Sequence, residues 1–117
     1  MDFSAMNKEE KKAAIAAYKE RKVDAGIYAV RCATTGEVWV GKTPDLDKAQ
    51  NKIWFSLRLG SRFYGTLQTA WTAHGENAFS FEVLERLEEE ENAYLRKKLM
   101  SARAGFWREK LGAFDLI

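Results

Sequence analysis

Apolar and polar residues along the chain follow two different periods. Bulky residues at strand spacing fill Ile27–Cys32 and Glu37–Val40, and Thr34-Thr35-Gly36 between them is a turn signal. These segments predict an antiparallel hairpin. A third strand with one buried face is predicted at 79–83, where a Phe-x-Phe-x-Val pattern alternates with polar residues.

The helical period appears first in two segments before the middle of the chain. Residues Asn7–Lys22 are rich in Ala, Lys and Glu, which predicts an N-terminal helix. The next helix should begin with Thr43 as its N-cap and Pro44 at its first helical position. Gly60 should end this helix, whose apolar positions recur at helical spacing: Leu46, Ala49, Ile53 and Leu57.

Two further helices are predicted in the second half. A short one spans about Thr66–Ala73 and is capped by Gly75. A long final helix should carry Glu88–Glu91 in its first turn, where acidic groups complement the helix dipole. Its expected apolar face consists of Tyr94, Leu95, Leu99, Ala102, Phe106 and Trp107. The order of elements predicts an α+β fold with a small three-stranded antiparallel sheet flanked by helices.

Composition narrows the class of protein. A chain of 117 residues fits one domain, and its single Cys and single His exclude an internal disulfide and the usual Cys/His zinc site. The longest apolar runs are far shorter than the roughly 18–20 residues of a membrane span, and the N-terminus is polar. We therefore expect a cytoplasmic protein without a membrane partner. The net charge of +2 combines a basic middle and end with an acidic block around Glu88–Glu91.

Two tripeptides of the hairpin resemble a known family. Gly26-Ile27-Tyr28 and, about ten residues later, Trp39-Val40-Gly41 resemble the paired motif of the GIY-YIG nuclease superfamily, which includes homing endonucleases and an excision-repair incision subunit. Further similarity is carried by Leu67-Gln68, Trp71, His74-Gly75, the segment 79–85 and Phe106-Trp107. The resemblance covers roughly Ala25–Leu111. It implies a GIY-YIG-like domain at 25–117, preceded by a helical extension at 1–24.

The resemblance also implies a set of catalytic roles, which this chain largely lacks. The family cleaves a phosphodiester with an activated water and one divalent metal, so Mg²⁺ or Mn²⁺ is expected if this chain is active. Tyr28 matches the first tyrosine, whereas the second falls on Trp39, which has no hydroxyl. Three other polar roles fall on apolar residues: the arginine on Ala49, the histidine on Ile53 and the metal-holding glutamate on Ala104.

Substitutes for the missing groups are not evident from spacing. Arg58 lies on the opposite face of its helix from Ala49, and Glu109 lies about 140° around the helix from Ala104. Glu82 and Glu85 are three residues apart on a strand, which predicts opposite sides. His74 is either a general base or, as we prefer, a C-terminal cap packed under the third strand. We therefore assign no metal ligand.

Basic and aromatic residues instead suggest nucleic-acid binding. Cations neutralise phosphates, and aromatic faces stack on bases. At least one aromatic of the pair Trp54-Phe55 should be partly exposed or meet the N-terminal helix, because one narrow helix face cannot bury Ile53, both aromatics and Leu57. The predicted contact residues for DNA or RNA are Gly41, Lys42, Lys48, Lys52, Arg58 and Arg62.

Two hypotheses follow, and the sequence leaves open whether the chain is an enzyme. The first is a nuclease-fold domain that binds nucleic acid, with hydrolysis weak, altered or lost. The alternative is a protein-interaction module or homodimer that uses an apolar surface left where Trp39, Ala49, Ile53 and Ala104 replaced polar groups.

Overall fold

A four-stranded sheet forms the centre of the domain. The computed structural model describes residues 24–116. The strands are β1 (Gly26–Cys32), β2 (Val38–Thr43), β3 (Phe79–Arg86) and β4 (Phe114–Leu116), in the order β3-β1-β2-β4. The α+β class and the antiparallel β1–β2 hairpin are confirmed. The three predicted strands pair antiparallel as expected, but the sheet has four strands and not three, because β4 pairs in parallel with β2.

The predicted N-terminal helix at Asn7–Lys22 lies outside the described residues, and the division of the chain after residue 24 stays a prediction. Asp24 is held in place from two sides. Its carboxylate accepts a hydrogen bond from Arg86 at 2.8 Å, and its carbonyl accepts one from the backbone N–H of Leu46. The start of the described chain is therefore fixed to β3 and to the helix that follows β2.

Three α-helices flank the sheet: α1 (Leu46–Leu59), α2 (Gly65–His74) and α3 (Ala93–Leu111). Asp45 is the N-cap of α1, since its carboxylate accepts from the Asp47 N–H. The prediction of Thr43 as N-cap and Pro44 as first helical residue was wrong, because both precede the cap. Thr43 Oγ1 instead accepts from the Asp45 N–H and tightens the turn before the helix. The end at Gly60 is confirmed, with φ of 81° and a hydrogen bond to the Leu57 carbonyl.

The start of α3 differs from the prediction. Asn92 caps this helix by accepting hydrogen bonds from the N–H groups of Tyr94 and Leu95. Glu90 accepts from the Asn92 N–H, so it stabilises the turn that leads into the cap. The acidic run Glu88–Glu91 therefore precedes the helix and does not form its first turn.

Each face of the sheet has its own core. Helices α1 and α2 cover one face in a core rich in aromatic residues, in which Trp71 meets Phe79 at 5.3 Å and Trp54 at 5.4 Å between ring centroids. Helix α3 covers the other face, where Ile27, Val40 and Ala104 are buried. The domain thus has three layers, with the hairpin between the two cores.

The packing of α3 is the largest departure from the predicted pattern. Met100 and Ala104 are its buried residues, whereas Tyr94 is 65% and Leu95 50% exposed. Every residue of Ala93–Leu99 is exposed. The predicted apolar face of this helix is thus mostly turned away from the sheet, and only Trp107 of that set packs against the core.

Candidate functional site

The two motif tripeptides meet in the hairpin. Tyr28 lies directly opposite Gly41 in the β1–β2 register. A Cβ atom added to Gly41 would overlap with the Tyr28 phenol, so the absence of a side chain at 41 makes room for this ring. The ring also stacks on Phe81, with 5.0 Å between centroids and 21° between planes. Packing against Gly41 and Phe81 therefore fixes the position of the tyrosine ring.

The environment of Tyr28 makes its hydroxyl a weaker acid than an ordinary phenol. The residue is 4% exposed. Burial raises the pKa of the Tyr28 phenol well above its ordinary range, and the nearby Tyr64 raises it further. The phenol is consequently neutral at neutral pH, so it can orient a water molecule by hydrogen bonding but has little capacity to take a proton from it.

Trp39 serves as a structural tie between β2 and α2. It is 1% exposed, and its indole Nε1 donates a hydrogen bond to Thr66 Oγ1 at 2.9 Å. Its ring lies 6.2 Å from Phe79 and 5.9 Å from Phe114 between centroids. The polar atom that replaces the expected hydroxyl is therefore already used within the fold.

The other replaced positions are also part of the cores. Ala49 and Ile53 are 5% and 2% exposed in the core beneath α1, and Ala104 is 3% exposed on the α3 side. The premise of an exposed apolar surface at these positions was therefore wrong. They fill the interior on both sides of the sheet and are not available to a partner.

Two carboxylates of β3 face α3, contrary to the prediction of opposite sides. Glu82 is paired with Ala29 and Glu85 with Ile27, because a bulge shifts the register between Ile27 and Tyr28. Glu82 binds Arg31 at 3.0 Å. Glu85 Oε1 instead accepts hydrogen bonds from Arg103 Nε at 2.8 Å and Trp107 Nε1 at 2.9 Å. The two carboxylates thus have separate partners and do not converge.

The hydrogen bonds of Glu85 outweigh its partial burial. Burial alone would raise its pKa, but the bonds from Trp107 and Arg103, with the Arg103 charge, lower the pKa below its usual value. Glu85 is therefore an ionised residue that binds β3 to α3. Neither Arg103 nor this role of Trp107 was expected, because the link depends on the bulge in β3.

The residues present do not fit a divalent metal at the position implied by the resemblance. Ala104 offers no oxygen, and the carboxylate of Glu85 on that face is occupied by Arg103 and Trp107. Glu109 is exposed, whereas Ala104 is buried. Among residues 24–116, no three His, Cys, Asp or Glu side chains are grouped so that they could hold a metal ion.

The predicted nucleic-acid contact residues differ in whether other residues of the described chain already occupy them. Arg58 makes two hydrogen bonds to Glu76, at 2.7 and 2.9 Å, and these lower the pKa of that carboxylate. Gly41 is buried beneath Tyr28 and so offers no surface. The remaining basic residues form no ion pair within the described part of the chain: Lys42, Lys48, Lys52 and Arg62.

An exposed stripe runs along the outside of α1. Lys48, Lys52, Phe55 and Leu59 lie within about 60° of one another around the helix, and we call them the outer stripe. All four are exposed, Phe55 by 62%. The prediction that at least one aromatic of the Trp54-Phe55 pair is partly exposed is confirmed by Phe55, whereas Trp54 is buried. His74 ends α2 and is exposed, so the prediction that it packs under β3 was wrong.

A shallow cleft begins at the residue that follows the outer stripe in the chain. Its volume is about 550 Å³, and it lies between the Gly60–Arg62 turn and the outer face of α2. The polar residues that line it are Ser61, Arg62, Gln68, Thr69 and Thr72. This cleft was not foreseen, because its residues come together only when α2 folds back beside the turn.

Comparison with known proteins identifies the fold. No protein-family model matches the sequence, and no curated protein does. The structure is similar to the catalytic domain of the homing endonuclease I-TevI, with a TM-score of 0.66 and 26% identity over 80% of this chain and 98% of that one. An alanine variant of the same catalytic domain gives a TM-score of 0.64 and 29% identity over 76% and 84% of the two chains.

None of the helices in residues 24–116 is long and apolar enough to cross a membrane. The hairpin with Tyr28 against Gly41, the flanking helices and the similarity to these endonuclease domains lead to one conclusion: the chain has the fold of the GIY-YIG nucleases.

Proposed function

We propose that this domain binds nucleic acid on a nuclease fold and that it has lost the usual GIY-YIG hydrolysis. The observation that carries the proposal is the burial of Trp39, Ala49, Ile53 and Ala104. A reactive group must reach the scissile phosphate, and none of these side chains has a polar atom available to do so. Tyr28 keeps its place, but alone it supplies neither a base nor a cation.

Charge and similarity support the binding part of the proposal. The structural neighbours are catalytic domains of an endonuclease. Lys48 and Lys52 form no ion pair with any of residues 24–116, and they lie one turn apart on α1, where like charges repel each other by roughly 0.2–0.5 kcal/mol. A bound phosphate relieves that repulsion, and its displaced counterions add to the affinity.

A cleavage assay tests the loss of hydrolysis. Labelled single-stranded and duplex DNA and RNA are incubated with the protein and Mg²⁺ or Mn²⁺, beside a Tyr28→Phe variant. We expect no cleavage by either protein, and binding that weakens steeply as salt increases. Cleavage that is abolished in Tyr28→Phe would show an active enzyme. Tyr28→Phe retains the ring that stacks on Phe81, so its fold should be preserved.

The exposed start of α3 favours a second candidate function, a protein-interaction module or homodimer. Tyr94, Leu95 and Leu99 are 65%, 50% and 40% exposed on a part of the helix that buries nothing. Such a surface is typical of contact with another protein. Light scattering of the purified protein tests self-association: a concentration-dependent dimer that Leu95→Lys abolishes supports this candidate, and a monomer at all concentrations opposes a homodimer.

A further inference from the structure

The outer stripe and the cleft follow each other along the chain. Leu59, the last residue of the outer stripe, is followed directly by Gly60, Ser61 and Arg62 of the cleft. The outer stripe is about 16 Å long, from the helical rise over its eleven residue steps. Phe63, which follows Arg62, is 75% exposed and Phe55 62%. In chain order, this surface region therefore presents two accessible phenyl rings and three cations that form no ion pair with any of residues 24–116.

We infer that this surface binds a single strand of nucleic acid, with bases stacked on Phe55 and Phe63 and one nucleotide unit in the cleft. The inference rests on the proposed function and names its ligand class. A phenyl ring that projects from the surface can stack only on a base whose face is open, and in a duplex those faces are covered by neighbouring bases. Lys48, Lys52 and Arg62 supply cations for the phosphates along the same path.

The hydrogen bonds in the cleft leave groups that can bind a nucleotide. Gln68 is fully used: its Oε1 accepts from the Ser61 N–H, and its Nε2 donates to the Leu57 carbonyl and to Thr72. It fixes the shape of the cleft. Ser61 Oγ accepts from the Phe63 N–H, and Thr72 Oγ1 accepts from Gln68, so both hydroxyls retain a hydrogen atom to donate.

Thr69 and Arg62 complete the set. Thr69 Oγ1 donates to the Gly65 carbonyl at 3.2 Å and keeps lone pairs that can accept a hydrogen bond. Arg62 provides a guanidinium without an ion pair among residues 24–116. Donors, an acceptor and a cation around about 550 Å³ match the edges of a base and its phosphate, and the volume lies in the range of small-ligand sites.

Fluorescence anisotropy with labelled fifteen-nucleotide DNA and RNA strands, and with the corresponding duplexes, tests the inference. We expect the single strands to bind at least tenfold more tightly than the duplexes. Phe55→Ala should weaken single-strand binding about tenfold, since stacking contributes roughly 1–3 kcal/mol per base. Tyr94→Ala is the matched control, because it removes an equally exposed aromatic from α3 on the other side of the sheet.

Salt dependence and the cleft are tested with two further variants. Lys48→Gln should reduce the slope of log affinity against log salt by about 0.7, the contribution of one phosphate on a single strand. Thr69→Val should weaken single-strand binding without changing that slope. Comparison of the DNA and RNA strands shows whether the cleft distinguishes the two sugars.

The outcomes separate this inference from the proposed function. Equal binding of duplex and single strand, or binding that Lys48→Gln weakens and Phe55→Ala leaves intact, would overturn single-strand stacking while nucleic-acid binding stands. No binding of any strand or duplex would overturn both. Circular dichroism of each variant verifies the fold, and all substituted side chains in this set are exposed.

Discussion

The two faces of the sheet are held together in different ways. On the face covered by α1 and α2, aromatic rings fill the core, and the hydrogen bond from Trp39 to Thr66 ties β2 to α2. On the face covered by α3, the buried cluster is small, and the ionised Glu85 joins β3 to Arg103 and Trp107. The positions of the expected catalytic groups lie on both faces. Each is occupied by an apolar residue that packs in the core of its own face: Trp39, Ala49 and Ile53 on the first, and Ala104 on the second.

This difference shows that the motif has separable parts. Its glycines serve geometry: a Cβ at Gly41 would overlap with Tyr28, and one at Gly26 would overlap with the Glu85 carbonyl and the Leu46 side chain. These contacts are needed whether or not the domain is active. The polar catalytic side chains are not needed for the geometry of the hairpin. Apolar residues can therefore replace them while the hairpin is unchanged.

The largest expected effect on stability comes from removing a ring from the aromatic core beneath α1 and α2. Trp39→Ala removes a fully buried indole and its bond to Thr66, and we expect a loss of about 3–5 kcal/mol in the free energy of unfolding. Urea denaturation followed by circular dichroism measures it. Phe55→Ala, on the outer stripe, should change stability by less than about 0.5 kcal/mol. A loss below about 1 kcal/mol for Trp39→Ala would mean that this face tolerates a cavity.

A smaller effect is expected from filling the space under the tyrosine. Gly41→Ala places a methyl group where the Tyr28 phenol lies, so we expect a destabilisation of about 1–3 kcal/mol from overpacking. Gly105→Ala in α3 is the control, because its nearest heavy atom would be Arg108 Nη2 at 3.7 Å. This control should gain up to about 1 kcal/mol from helix propensity. Equal behaviour of the two variants in urea denaturation would contradict the proposed role of Gly41.

The smallest expected effect on stability is on the face covered by α3, which we call the ionic face because Glu85 joins it to Arg103. This effect depends on pH. The folded pKa of Glu85 is lowered from 4.5, so its stabilisation is present above about pH 4.5 and is lost as the pH falls through the lowered value. Glu85→Gln should therefore cost about 1–2 kcal/mol at pH 7 and progressively less in acid. Thermal denaturation between pH 7 and pH 3 measures the difference.

Glu82→Gln is the comparison for the ionic face. The Glu82–Arg31 pair is more exposed than the Glu85–Arg103 pair, with side chains 53% and 40% accessible, and exposed pairs contribute little. We expect a change below about 0.5 kcal/mol at pH 7. A difference between wild type and Glu85→Gln that stays constant with pH would show that packing, and not charge, explains the role of Glu85.

The fold was largely predictable because local patterns and tertiary packing agree in most elements. The turn at Gly36, the end of α1 at Gly60 and the hairpin register follow from residues close in sequence. Two features depend on distant partners instead. Strand β4 has only three residues, and its pairing with Trp39–Gly41 connects ends of the domain far apart in sequence. The bulge in β3 changes which side Glu85 faces, and strand alternation alone cannot indicate it.

The candidate site was less predictable, since exposure depends on packing. The sequence indicated that Trp39, Ala49, Ile53 and Ala104 are apolar, but their burial on two different faces required the fold. The buried face of α3 was predicted wrongly for a related reason. Its leucines recur at helical spacing and so suggest a core face, but it is the small residue Ala104 that allows the helix to approach the sheet closely. The fold also decides which cations are paired. Glu76 lies beside Arg58 and binds it, whereas Lys48 and Lys52 have no such partner among residues 24–116.

Strand β4 has one more consequence, which concerns how the molecule behaves at high concentration. By pairing with β2, it covers the backbone of Trp39–Gly41, with which a neighbouring molecule could otherwise pair. Within residues 24–116 the two edge strands are then β4, which has only three residues, and β3, which carries the charged residues Glu82, Glu85 and Arg86. Charged edges discourage two sheets from joining and so protect against fibrous aggregation. A concentrated solution should therefore resist amyloid-like assembly for as long as β4 stays in place.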